Sequence, residues 1–100
     1  MSRPFYSEYV RHCMRFYARN LTNPTFKTHV DKMNWEACHA EIMCLSDKAK
    51  DILVTVYGGF DTLPDEVYNA SLKYSMNQNI IWDMMKDFER AVAKQRGLIS

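Results

Sequence analysis

Apolar residues recur along most of the chain at intervals of three and four residues, the spacing that one face of a helix requires. The first such run extends from Tyr6 to Leu21, and the last extends from Ile81 to Val92. Only three glycines and three prolines are present, fewer turn residues than an all-β domain usually needs. We therefore predict an all-α fold of about five helices, which begin near residues 7, 31, 46, 63 and 78.

Local signals predict where these helices start and stop. The side chains of Ser, Thr, Asp and Asn accept hydrogen bonds from the free N–H groups of a first helical turn. The expected N-caps are Ser7, Asp31, Ser46, Thr62 or Asp61, and Asn77. Gly58 and Gly59 should end the third helix in the left-handed conformation, and Gly97 should end the fifth.

Composition and charge restrict the class of protein. The chain has 100 residues, of which 47% are apolar, and this suits a single domain. A net charge of +1 is weak for a nucleic-acid-binding protein, so any DNA affinity must come from local patches. Three cysteines without a CxxC motif favour a reducing cytoplasm over a disulfide framework. A signal peptide and a membrane span, which needs ~20 apolar residues, are not expected.

No pattern indicates catalysis or a metal. The His and Cys residues raise a zinc alternative, but Cys38 and His39 are adjacent and Cys44 is six residues after Cys38. Structural zinc ligands usually come in pairs two to four residues apart. Adjacency also does not provide the spatial pairing that a thiolate and an imidazole need for nucleophilic catalysis. We therefore expect a non-enzymatic protein without a metal or cofactor.

The segment between the fourth and fifth helices has the pattern of a helix-turn-helix. Such a motif needs a small residue where its helices cross, a glycine-like residue in the turn, an apolar plug and an N-cap. Ser71, Ser75, Met76 and Asn77 occupy these places in order. Within the single domain, we therefore expect a two-helix part, residues 1–45, followed by a part that contains the helix-turn-helix, residues 46–96.

The start of the fifth helix would then meet DNA bases in a major groove. Gln and Asn side chains can form two hydrogen bonds with an adenine edge, and a lysine can reach a phosphate. The candidate DNA contacts on this helix are Asn77, Gln78, Asn79, Trp82 and Lys86. Asp83 and Asp87 place negative charge beside them, and a solvated helix face is the ordinary interpretation of such a polar surface.

Further phosphate contacts are predicted outside the fifth helix. Arg11, Arg15 and Arg19 are four residues apart and form a basic stripe on the first helix. Lys73, at the end of the fourth helix, is another candidate. The alternative for the arginine stripe is a solvated face or a contact with an acidic partner.

The segment at the start of the third helix is Leu45-Ser46-Asp47-Lys48-Ala49-Lys50-Asp51-Ile52-Leu53, closed by Tyr57. It resembles the start of region 4 of sigma-70-type factors. The residues that match the family pattern are Leu45, Lys48, Lys50, Ile52, Leu53 and Tyr57, and the resemblance covers about residues 45–96. Ser71 and Ser75 replace the Ala and Gly typical of that family. The resemblance implies a four-helix DNA-contacting unit that also contacts RNA polymerase, as in regulators carried by phages and mobile elements.

Two functions follow as expectations. The first is a DNA-binding transcription regulator whose partner is double-stranded DNA. The second is a protein-interaction adaptor that has this fold but does not bind DNA, with RNA polymerase or another protein as its partner. An exposed patch around Tyr68 and Trp82 would favour the adaptor, because aromatic residues anchor many protein interfaces.

Overall fold

A computed structural model describes residues 4–99, and the described chain contains α-helices without β-strands. The predicted all-α fold with five helices is confirmed. The helices are α1 (Ser7–Arg19), α2 (His29–Ile42), α3 (Asp47–Gly58), α4 (Leu63–Lys73) and α5 (Gln78–Gln95).

One hydrophobic core contains residues from all five helices. Helix α1 packs against α2, α3 and α5, while α4 packs against α3 and α5. Val10 and Met14 of α1, Val67 of α4 and Met85 of α5 are completely buried. The regular apolar spacing of each helix therefore produces a continuous stripe, and the five stripes meet in this core.

Three of the predicted N-caps are confirmed and two are wrong. Ser46, Thr62 and Asn77 each accept a backbone hydrogen bond at the start of a helix. Helix α2 begins earlier than predicted, because the Thr28 hydroxyl accepts the bond from the Asp31 backbone N–H. Ser7 is the buried first residue of α1 and does not cap it. Tyr6 precedes the helix without a side-chain cap, and the Ser7 backbone N–H donates to the Pro4 carbonyl at 3.1 Å.

Helix α3 does not end on a left-handed glycine, which contradicts the prediction for Gly58 and Gly59. Gly58 is the last helical residue, and Gly59 is extended with φ −69° and ψ 162°. At Gly58 a Cβ would make an ordinary contact with α1, 3.4 Å from the Ala18 Cβ. At Gly59 a Cβ would overlap the Glu66 carboxylate, which accepts the Asp61 backbone N–H.

Not every aromatic residue lies in the core. The Phe60 side chain is 88% exposed in the connection that follows α3. The Arg19 guanidinium lies 4.6 Å from the centre of its ring and covers one face. Phe60 lies outside the helices, so the periodicity that places an apolar residue on a buried face does not apply to it.

Candidate nucleic-acid interface

Residues 74–77 form the short turn between α4 and α5. Ser75 has φ +53°, the left-handed conformation that glycine adopts most easily. The Met76 N–H donates to the Ser71 carbonyl at 3.0 Å, which satisfies one of the free carbonyls at the end of α4. Ala70 is buried, whereas Ser71, the small residue predicted for the helix crossing, is half-buried and its hydroxyl donates to the Tyr68 carbonyl at 2.6 Å.

The first turn of α5 carries an exposed row of amide side chains. The Asn77 side-chain oxygen accepts the Asn79 backbone N–H at 2.8 Å, so Asn77 orients the start of the helix. Gln78 and Asn79 are exposed. With Ser71 and Met76 they line an open cleft of about 510 Å³ between the end of α4 and the start of α5. This cleft brings together the predicted base-contacting residues.

Two of the predicted phosphate contacts are also at the surface. Lys86 is exposed on α5, and Lys73 is exposed at the end of α4. The Lys73 ammonium lies 5.3 Å from the centre of the Tyr74 ring, a distance at which the ring attracts the cation. Both lysines are therefore accessible to an anionic partner.

Trp82 is half-buried and packs against the core, so it does not belong to the exposed row. It lines a separate open cleft of about 670 Å³ with residues of α1 and the start of α4. The Arg11 guanidinium lies 5.8 Å from the centre of its ring. Trp82 is half-buried because α1 packs against α5 and brings Arg11 beside the indole.

Arg11, the first residue of the predicted basic stripe, belongs to a buried network. Its Nε donates to the Glu89 carboxylate at 2.9 Å, and the Tyr57 hydroxyl donates to the same oxygen at 2.6 Å. Burial, and then the neighbouring Glu89 charge, raise the pKa of Tyr57 well above its ordinary value. The network joins α1, α3 and α5. Within it the Arg11 guanidinium neutralises the Glu89 carboxylate, which would otherwise be a buried charge without a counterion.

Arg15 and Arg19 bind the end of α3. Arg15 donates to the Gly59 and Asp61 carbonyls at 2.7 and 3.1 Å, and Arg19 donates to the Gly59 carbonyl at 2.7 Å. These carbonyls lie at and beyond the negative end of the α3 dipole, where a cation is favourable. All three arginines of the stripe thus donate to acceptors within the chain, although Arg19 remains exposed at the surface.

Arg90 and Lys94 were not among the predicted contacts, although both are exposed on α5. They continue the four-residue spacing of Lys86, and this spacing was visible in the sequence. The arginines of α1 have the same spacing, but their side chains donate to acceptors within the chain.

The cysteines do not form a metal site in the described part of the chain. No group of three His, Cys, Asp or Glu residues within 4–99 is placed to hold a metal ion. Cys13 and Cys38 are buried, whereas Cys44 is exposed. Burial raises the pKa of the Cys13 thiol to about 11 and raises that of Cys38 further, so both are poor nucleophiles at neutral pH.

Comparison of this chain with protein-family models, with curated proteins and with solved structures gives no match. Within residues 4–99, none of the helices combines the length and the apolar composition needed to cross a membrane.

Proposed function

We propose that this chain is a DNA-binding transcription regulator without enzymatic activity, in which α4, residues 74–77 and α5 act as a helix-turn-helix. The observation that carries the proposal is the exposed amide pair of Gln78 and Asn79 in the first turn of α5. The left-handed Ser75 and the Asn77 cap support it, because they hold the start of α5 in a defined orientation beside α4.

The amide pair has the chemistry for base recognition. Each amide offers a donor and an acceptor, which match the N6 and N7 groups of adenine in the major groove. Lys86 is seven residues after Asn79, about 10 Å further along the helix axis. A major groove is about 12 Å wide, so amides at the base edges leave the Lys86 ammonium near the phosphates at the groove rim.

The remaining charge predicts how tightly the chain binds. Arg11, Arg15 and Arg19 donate to acceptors within the chain, which leaves the phosphate contacts to lysines such as Lys73 and Lys86. Few phosphate contacts mean modest affinity with a shallow dependence on salt. Binding to random-sequence DNA should therefore be weak, with a dissociation constant on the order of 10⁻⁵ M at moderate salt.

A second candidate function is that of a protein-interaction adaptor. Tyr68 and Leu72 are one turn apart on α4, so they lie side by side, and they are 52% and 64% exposed. Exposed apolar side chains that lie together often mark a protein interface. Under this alternative, Leu72→Ser should weaken binding of a protein partner, while Lys86→Glu should leave that binding intact.

The experiment is fluorescence-anisotropy titration of a labelled random-sequence DNA duplex at about 50 and 200 mM salt. The wild-type chain should bind more weakly at the higher salt, and Lys86→Glu should lose binding. Lys32→Glu is the matched control, because it makes the same charge change at an exposed position on α2. Absence of wild-type binding at the lower salt, or equal losses in the two variants, would overturn the proposal.

A further inference from the structure

A second basic stripe runs along the exposed side of α5. Lys86, Arg90 and Lys94 are four residues apart, so they follow one another about 6 Å apart along the helix axis. All three are exposed, and their side chains have no hydrogen-bond or ion-pair partner among residues 4–99. In this respect the stripe differs from the arginines of α1, whose guanidinium groups are occupied.

The acidic residues of α5 leave its second half positive. Asp83 and Asp87 are exposed in the first part of the helix, whereas Glu89 is buried and paired with Arg11. Beyond Asp87, the charged side chains that α5 exposes are Arg90 and Lys94. Lys94 also lies near the negative end of the helix dipole, where a positive charge slightly stabilises the helix.

The length of α5 places this positive half outside a groove. Lys94 is fifteen residues after Asn79, about 22 Å along the helix axis. That distance exceeds the major-groove width of about 12 Å. A helix whose first turn enters the groove therefore extends past its rim, where phosphate oxygens are the anions available to a cationic side chain.

We propose that Arg90 and Lys94, together with Lys86, form a phosphate-contacting ridge that binds the DNA backbone beside the site contacted by Gln78 and Asn79. This inference rests on the proposed function. The second half of α5 thus makes the phosphate contacts that the sequence suggested for the first helix. These contacts position the Gln78 and Asn79 amides on the DNA but do not distinguish one base sequence from another.

The test measures the salt dependence of duplex DNA binding for Arg90→Gln/Lys94→Gln. Loss of two phosphate contacts should make the slope of log affinity against log salt less negative by about 2 and weaken binding on the order of fiftyfold at ~0.1 M salt. Lys27→Gln/Lys32→Gln is the matched control, since it removes two exposed positive charges from outside α5. The control should keep the wild-type slope.

A charge-conserving variant shows whether the loss of charge, and not the change of side chain at these positions, causes the effect. Arg90→Lys/Lys94→Arg keeps both positive charges and should bind with the wild-type slope. An unchanged slope in Arg90→Gln/Lys94→Gln, or an equal decrease in the control, would overturn the ridge while leaving the proposed function in place. Failure of the wild-type chain to bind the duplex at ~50 mM salt would refute the proposed function and the ridge together.

Discussion

Replacing Arg11 with methionine should strongly destabilise the protein, because the change leaves the Glu89 carboxylate buried without its cation. The Glu89 side chain is 3% exposed and the Arg11 side chain is 15% exposed, so water screens the pair poorly. Removal of one partner from a buried ion pair costs about 3–5 kcal/mol. The Tyr57 hydroxyl still donates to Glu89, which favours the lower end, about 3 kcal/mol.

Urea denaturation followed by circular dichroism measures this loss. A small domain has a denaturant slope of about 1–3 kcal/mol per molar urea, so Arg11→Met should shift the midpoint by about 1–3 M. The melting temperature should fall by roughly 12–24 °C for the same loss. Since small domains are stable by only about 5–15 kcal/mol, this is a large fraction of the total.

A double variant tests the physical reason and not merely the size of the loss. Arg11→Met/Glu89→Gln has no uncompensated charge, so it should be about 1–3 kcal/mol more stable than Arg11→Met alone. Arg90→Met, at an exposed arginine without an intramolecular partner, should change stability by less than about 0.5 kcal/mol. A double variant no more stable than Arg11→Met would refute the explanation by a buried, unpaired carboxylate.

Three further outcomes follow from backbone geometry and thiol burial. Ser75→Gly should raise stability by about 0.5–1 kcal/mol, because it removes the left-handed strain of a residue with a Cβ, and thermal melting checks this. A lower melting temperature would mean that the serine side chain itself stabilises the turn. A thiol reagent at neutral pH should label only Cys44 in the folded chain and all three cysteines in urea. Because burial raises the pKa of Cys13 from 9.0 to about 11, the unfolded chain loses its thiol protons first, and stability measured by urea denaturation should fall as pH rises above 9.

The helices could be predicted because their signals are local. Helical spacing of apolar residues, together with Ser46, Thr62 and Asn77 as caps, indicates α3, α4 and α5 without knowledge of any neighbour. The errors at Ser7 and Asp31 concern which of several nearby polar residues caps a helix. That choice depends on the preceding backbone, where a turn at Pro4 and an extended Thr28 supplied the first hydrogen bonds.

The candidate interface was predicted only in part. Exposed Gln78, Asn79 and Lys86 follow from the face of α5 that its apolar residues leave free. The half-buried position of Trp82 does not, because it depends on how α1 packs beside α5. A residue at the border of an amphipathic face is covered or exposed according to a neighbouring element, and periodicity within its own helix carries no information about that neighbour.

The two basic stripes separate what the sequence by itself determined from what the tertiary structure decided. Both have four-residue spacing, so the sequence alone placed each on one side of a helix. The packing of α1 against α3 and α5 then brought Arg11 to Glu89 and Arg15 to the carbonyls after α3, while Lys86, Arg90 and Lys94 met no acceptor within the described chain. Spacing is a property of one helix, but the partner of a charge depends on residues distant in sequence, and only folding brings those together.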